Sequence, residues 1–155
     1  MKSRRAGRRL ALDVLYEVEI RGDSASEVFT WHQMEGWVTL GPADEESLQD
    51  TEHSDKPPEE AVGYALELVQ GVDFHRAEVD ALIGSYAQKC ELERMPIIDL
   101  TLLRMAIFEL MWRDDIPAPV TINEAVELAK DLSTESSGRF INGILGRLSK
   151  SQEVQ

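Results

Sequence analysis

The segment from Ile97 to Met111 constrains the fold more than any other part of the chain, because apolar residues cover nearly every side of it. Its length and its lack of alternating polar residues predict a helix over about 96–113. A helix that is apolar all round is stable only when other elements surround it. We therefore expect this helix to be central, with amphipathic helices around it.

The other apolar patterns are helical as well. Apolar residues recur at helical spacing over about 3–19, 25–38, 58–71 and 74–88, and two more helices fit within 117–148. No segment alternates apolar and polar residues over a useful length, which argues against strands. The chain is therefore predicted to be all-α, with about seven helices packed as a bundle in one domain.

Local signals place the ends of the last two helices. Thr121 and Glu124 match a capping box, and Pro117 and Pro119 are expected to block any earlier start. The final helix contains Asn142-Gly143, a turn-like dipeptide in a helical pattern. Glycine costs about 1 kcal/mol relative to alanine there. We expect either close helix packing or an exposed contact surface to offset that cost.

Residues 39–58 differ from the rest of the chain, because they are acidic, rich in turn-forming residues and nearly devoid of large apolar side chains. Such a composition is typical of a mobile loop. We predict one domain over residues 1–155, with an N-terminal helical half at about 1–72 that contains this loop. A C-terminal helical half follows at about 73–150.

The charge of the chain is unevenly distributed. The formal net charge is −13, yet residues 1–12 hold five of the sixteen basic residues and none of the 29 acidic ones. An acidic protein repels nucleic acid everywhere except at such a basic region. The arginines form either a solvated helix face or a ligand site, and the helix dipole, which disfavours positive charge near a helix N-terminus, favours the ligand site.

Chemical motifs of enzymes and metal sites are absent from the sequence. There is no phosphate-binding glycine loop, no HExxH, no CxxC and no G-x-S-x-G, so we expect neither an enzyme nor a cofactor. Cys90 is the only cysteine, which excludes an internal disulfide and suits a reducing cytoplasm. No apolar run reaches the roughly 18 residues of a membrane span, so no membrane association is expected.

Three blocks of sequence together resemble one family. They are RRAGRRLALDVLYE near the start, DLTLLRMAIFELMWRDDIPAPV in the middle, and INEAVELAK followed by FINGILG near the end. In this order and spacing they resemble the NusB family of bacterial antitermination factors, from about Arg4 to Leu148 with a gap at 39–58. The resemblance implies two three-helix subdomains plus one extra helix in a compact unit.

The resemblance also implies a function based on binding. NusB proteins pair with NusE, which is also a small-subunit ribosomal protein, and recognise boxA, a short single-stranded RNA in the leaders of ribosomal RNA operons. The complex joins RNA polymerase and suppresses premature termination. The chain is thus expected to be a non-enzymatic RNA-binding adaptor. NusB proteins are either monomers or homodimers that mask the RNA surface, and both states stay open here.

Site residues follow from the matching motifs, since single-stranded RNA is held by phosphate contacts and by bases stacked on aromatic or guanidinium planes. The basic first-helix positions of the family match Arg4, Arg5 and Arg8, with Arg9 a weaker match. Tyr16, in the VLY motif, is expected near the RNA or the partner.

The motif RFING resembles the family's KFVNG type and assigns Arg139, Phe140 and Asn142 to the RNA. Phe140 is either a core residue or a platform for a base. Asp99 matches a position where relatives carry an acid near both RNA and partner, and Glu93 is a weaker candidate. Each of these two acids either contacts a basic partner or is an ordinary solvated carboxylate.

Two other hypotheses remain. The first is a helical protein-interaction scaffold without RNA binding, against which the arginine-rich start of the chain argues. The second is a detached NusB-like domain of a ribosomal RNA cytosine methyltransferase. Those enzymes continue into a large methyl-donor-binding domain, so this hypothesis requires the given sequence to be part of a longer chain.

Overall fold

The computed structural model of the protein describes residues 2–37 and 57–153, and over these it is helical with no strand. The all-α prediction is confirmed. None of the described helices is long and apolar enough to cross a membrane. The eight helices are α1 (Lys2–Arg21), α2 (Ala25–Glu35), α3 (Glu59–Phe74), α4 (Arg76–Tyr86), α5 (Lys89–Arg94), α6 (Ile97–Trp112), α7 (Ala118–Leu132) and α8 (Glu135–Glu153).

The chain divides into two compact units, Met1–Gln70 and Gly71–Gln155. In the first unit, α1 packs against α2 and against the start of α3. Gly7 makes the contact with α3 close, because a Cβ atom placed on it would lie 2.8 Å from the backbone oxygen of Ala61. Ser24 is the N-cap of α2, and its hydroxyl accepts a hydrogen bond from the Glu27 N–H at 3.2 Å.

In the second unit α6 is the central helix, as its all-round apolar sequence predicted. It contacts α4, α7 and α8, and Leu102, Leu103 and Ile107 are fully buried. The buried positive charge of Arg104 on α6 is paired with a carboxylate. The guanidinium group of Arg104 donates two hydrogen bonds to the carboxylate of Asp80 on α4, at 2.9 Å and 3.1 Å.

Helix α7 begins one turn earlier than predicted. Its N-cap is Pro117, and Pro119 lies in the first helical turn. Backbone N–H groups of the first turn need no partner within the helix, so proline starts this helix instead of blocking it. The capping box at Thr121 is therefore wrong, and the buried Thr121 hydroxyl has no hydrogen-bond partner among the described residues.

Two further boundaries differ from the prediction. Helix α3 does not end at Gly71 but continues to Phe74, so the predicted C-cap is wrong. Gly71 instead allows close packing, since a Cβ atom on it would overlap the Phe108 ring. The short helix α5 was not predicted. The predicted loop at 39–58 lies outside the described residues except for its last two.

We expect Gly71→Ala to lower the free energy of unfolding by about 1–2 kcal/mol, because the buried Phe108 ring must move to admit the methyl group. Gly84→Ala on α4 is the control in the same unit, since nothing lies within 4 Å of a Cβ atom there. Gly84→Ala should raise the free energy of unfolding by about 0.5–1 kcal/mol, because alanine has a higher helix propensity than glycine. Urea unfolding followed by circular dichroism measures both, and a stabilising Gly71→Ala would contradict the packing argument.

Candidate nucleic-acid interface

The arginines of α1 are arranged around an aromatic side chain. The guanidinium carbon of Arg4 lies 5.9 Å from the centre of the Tyr64 ring, and that of Arg8 lies 5.6 Å from it. Arg4 and Arg8 are one turn apart on the same side of α1, so both reach this residue of α3. Cation–π attraction holds the two side chains in place before any ligand arrives.

The four predicted arginines differ in their exposure. Arg5 is exposed, and Arg4 and Arg9 are half-buried. Arg8 is only 5% exposed, so in this conformation it supports Tyr64 more than it presents a surface. Arg9 lies with Nε 3.9 Å from Asp13 Oδ1. The surface that α1 offers to phosphates is therefore centred on Arg5.

Tyr16 lies further along α1. It is half-buried and follows Arg9 by seven residues, which places it about 10 Å further along the helix axis on a similar side. The position is compatible with the predicted role of Tyr16 near the RNA, which stays a prediction.

Helix α8 presents an exposed polar stripe in the second unit. Arg139, Asn142 and Gly143 are exposed, and Phe140 is half-buried. Nothing among the described residues lies within 4 Å of a Cβ atom placed on Gly143. Close packing is thus the wrong explanation for the Asn142-Gly143 dipeptide, and the exposed contact surface is the alternative that remains.

The start of α8 is tied to α6 by side chains. The Thr134 Oγ1 atom accepts a hydrogen bond from the Ser137 N–H at 3.1 Å, as an N-cap does. The Ser137 hydroxyl donates to Asp99 Oδ2 at 2.6 Å. Asp99 is 2% exposed, and its other oxygen has no hydrogen-bond partner among the described residues. It therefore holds the helix that carries Arg139.

The two predicted partner residues are placed differently. Asp99 is buried, so in this conformation its carboxyl group is not at the surface. Glu93 is exposed on α5 and is open to contact with another molecule. The partner-binding role of both residues stays a prediction.

Sequence reasoning missed four contributors. Tyr64 and Ser137 gave no signal, because their roles depend on residues distant in the chain. Arg147 and Lys150 are exposed on α8, and their spacing from Arg139 is helical, so that signal was present. Arg147 also donates to the backbone oxygens of Gly143 and Tyr86, at 3.2 Å and 3.0 Å.

The chemistry available at these surfaces is that of binding. Guanidinium groups contact phosphates and stack on bases, and the asparagine side chain offers a donor and an acceptor. In the part of the chain that the structure describes, no three histidine, cysteine or acidic side chains come together as a metal site.

The chain is similar to known proteins over nearly its whole length. A sequence model described as the NusB family matches residues 5–150. The transcription antitermination protein NusB of Salinispora tropica is 43% identical over 150 residues, covering 97% of each chain. That of Myxococcus xanthus is 40% identical over 148 residues, covering 96% of this chain and 95% of its own.

Solved structures share the fold. T. maritima NusB has a TM-score of 0.73 at 30% identity, covering 95% of this chain and 90% of its own. A structure of NusB and NusE in complex with double-stranded RNA has a TM-score of 0.74 at 24% identity, covering 97% of this chain and 98% of its own. The match of the family model over nearly the whole sequence, with relatives at about 40% identity, shows that the chain belongs to the NusB family.

Proposed function

We propose that this chain is a non-enzymatic RNA-binding adaptor of transcription antitermination. It binds boxA-type single-stranded RNA from the leaders of ribosomal RNA operons together with NusE, a small-subunit ribosomal protein. The complex joins RNA polymerase in the cytoplasm. The observation that carries the proposal is the row of arginines at the start of α1, on a chain whose remaining residues are strongly acidic.

The relatives support this proposal. Those reported above are named transcription antitermination proteins, and one structure of the same fold contains NusB, NusE and RNA. The RNA in that structure is double-stranded, whereas the proposal concerns a single strand. A test must therefore compare both forms of the same RNA.

The charges of α1 and α8 account for how RNA would be bound. Arg5, with Arg4 and Arg9 beside it, contacts phosphates, and Arg139 and Asn142 add contacts from α8. These few basic side chains can neutralise only a few phosphates. RNA binding by this chain alone should therefore be weak. Its affinity should fall with salt, with a slope of up to about −0.7 for each phosphate neutralised on a single strand.

NusE would add the second part of the binding surface. Exposed acids such as Glu93 attract a basic ribosomal protein and orient it, which raises the association rate more than it adds affinity. Asp99 would contribute to RNA binding indirectly. Its Oδ2 atom accepts a hydrogen bond from the Ser137 hydroxyl at 2.6 Å, which fixes the start of α8. The acidic chain and its basic partner then present RNA contacts together.

An Arg4/Arg5/Arg8→Ala variant should bind boxA RNA at least about tenfold more weakly than the unchanged protein, with a shallower salt slope, because the phosphate contacts of Arg4 and Arg5 are lost and Tyr64 loses the support of Arg8. Fluorescence anisotropy of labelled boxA RNA measures this, with and without NusE. NusE should tighten binding by the unchanged protein. Because Arg4 and Arg8 also support Tyr64, Arg5→Glu alone is a second variant that spares this contact.

The matched control is Arg21→Ala/Arg94→Ala/Lys130→Ala, which removes the same charge from exposed positions outside the predicted site. It should bind RNA as the unchanged protein does. Equal losses in both triple variants would indicate net charge rather than a site. No RNA binding by a folded monomer, checked by size-exclusion chromatography, would sink the RNA assignment and leave the interaction scaffold as the better hypothesis. Binding to duplex RNA alone would contradict the single-strand preference.

A further inference from the structure

An exposed aromatic surface lies where α3 meets α4, beside the end of α6. Phe74, the last residue of α3, is 80% exposed. Its ring meets His75 edge-on, with 4.8 Å between ring centres. The His75 ring stacks on Trp112 at 3.8 Å with planes 15° apart. We refer to Phe74, His75 and Trp112 as the aromatic cluster.

Neighbouring side chains hold the aromatic cluster in position. Trp112 lies nearly parallel to the buried ring of Phe108, with 6.0 Å between their centres, and Phe108 fits only because Gly71 has no side chain. His75 Nδ1 lies 3.3 Å from Glu78 Oε1. The cluster is thus a pre-formed platform, and binding there costs little ordering of side chains.

An exposed phenylalanine on such a platform indicates a contact surface. Burying a phenylalanine side chain contributes about 1.5–3 kcal/mol, and here that gain is not used within the described residues of the unit. Exposed apolar side chains rimmed by polar residues are typical of interaction sites. The surroundings of the cluster decide what binds.

One carboxylate, that of Glu78, contacts the aromatic cluster, and two more lie close to it in the chain. Asp73 and Glu78 flank Phe74 and His75 in the chain, and Asp114 follows Trp112 by two residues; all three are exposed. Asp73 and Asp114 form no ion pair with the described residues. The neighbouring arginines face carboxylates of their own, in the pairs Arg76–Asp80 at 3.9 Å and Arg113–Asp115 at 3.0 Å.

This combination selects a cation. Aromatic faces attract guanidinium and ammonium groups, and nearby carboxylates strengthen that attraction. A nucleic-acid strand would instead bring its phosphates against the carboxylates. The charge of the surface therefore complements a positively charged peptide segment that also carries an apolar side chain to cover Phe74.

We propose that the aromatic cluster, with Asp73, Glu78 and Asp114, is a docking surface for a basic segment of a protein partner. An arginine or lysine of that segment lies on the aromatic cluster, and a neighbouring apolar side chain covers Phe74. The surface shares no residue with those assigned above to RNA or NusE. The proposal therefore does not depend on the proposed function.

The probe is a fluorescein-labelled octapeptide of alternating arginine and leucine, titrated into the full-length protein. In a Trp31→Phe/Trp37→Phe background Trp112 is the only tryptophan, so its emission reports binding at the cluster. We expect anisotropy to rise and Trp112 emission to change together. Peptides with glutamine for arginine, or with serine for leucine, should bind about tenfold more weakly.

Phe74→Ser should weaken binding of the arginine–leucine peptide by about five- to tenfold and leave boxA RNA binding unchanged. Met34→Ser is its control, because Met34 is 78% exposed in the other unit. Asp73→Asn/Glu78→Gln/Asp114→Asn should weaken binding by about tenfold and flatten its salt dependence. Glu27→Gln/Glu59→Gln/Asp131→Asn removes the same charge elsewhere and should have little effect.

Four results would overturn the proposal. Phe74→Ser and Met34→Ser could behave alike, or the two carboxylate variants could behave alike, which would indicate non-specific attraction to an acidic protein. Trp112 emission could stay constant while the peptide binds, which would place the contact elsewhere. A single-stranded uridine oligonucleotide could change Trp112 emission more than the peptide does, which would assign the surface to nucleic acid.

Discussion

Gly7→Ala should lower the free energy of unfolding by about 2–3 kcal/mol, because α1 and α3 cannot keep their separation with a methyl group between them. The added Cβ atom would lie 2.8 Å from the backbone oxygen of Ala61 and 3.0 Å from the Cβ atom of Tyr64. These atoms belong to the backbone of α3 or are bonded directly to it, so no side-chain rotation relieves the overlap. One helix has to move away from the other.

The control lies on the helix that Gly7 contacts. Gly63 of α3 is exposed, and nothing lies within 4 Å of a Cβ atom placed there. Gly63→Ala should therefore raise the free energy of unfolding by about 0.5–1 kcal/mol, through the helix propensity of alanine. Urea unfolding followed at 222 nm compares the two. Changes of the same sign would show that α1 and α3 tolerate the added volume and that the close contact is not required.

Ser137→Ala should also be strongly destabilising, by about 3 kcal/mol, because it leaves a buried carboxyl group without a donor. The Ser137 hydroxyl donates a hydrogen bond to Asp99 Oδ2 at 2.6 Å, and the other oxygen of Asp99 has no hydrogen-bond partner among the described residues. The start of α8 should fray as a result. We expect weaker boxA RNA binding too, since Arg139 follows two residues later.

Two further variants separate this effect from the loss of a helix cap. Thr134→Ala removes the acceptor for the Ser137 N–H but keeps the hydrogen bond to Asp99. It should lower the free energy of unfolding by only about 1 kcal/mol. In a double-mutant cycle, the Asp99→Ala/Ser137→Ala variant should lose less free energy of unfolding than the two single variants lose together. The difference should be at least about 1 kcal/mol. Strict additivity, or equal losses for Thr134→Ala and Ser137→Ala, would show that Asp99 does not depend on Ser137.

The helical class and the central helix were predictable, because both follow from local periodicity. The all-round apolar segment at Ile97–Met111 left only a buried position for α6, and the structure confirms it. The partners of its charged residues were not predictable. Arg104 bonds a residue 24 positions away and Asp99 one 38 positions away, and no short-range pattern encodes such contacts.

The error at α7 has a local cause. Thr121 and Glu124 satisfy the spacing rule for a capping box, but a proline in the first turn satisfies the rule for a helix start equally well. The structure uses the proline and buries Thr121 as an interior residue. At Gly71 a glycine typical of a helix end serves packing against Phe108 instead.

The candidate site was predictable only as a set of residue types. The arginines of α1 were recognised from their number and position, whereas the burial of Arg8 depends on Tyr64 in another helix. The exposed stripe of α8 was found as far as Asn142, although helical spacing extends it to Arg147 and Lys150. Exposure and pairing are properties of the folded chain, so the sequence alone does not rank these residues.

The double contact of Arg4 and Arg8 with Tyr64 also constrains how this sequence can evolve. Lysine at position 5 keeps a charge that phosphates accept, so Arg5 can drift between the two basic residues as ligands change. Lysine at position 8 keeps the charge but loses the planar group that covers an aromatic face. Among descendants of this chain, we therefore expect substitutions at position 8 to occur together with substitutions at position 64, whereas those at position 5 occur alone.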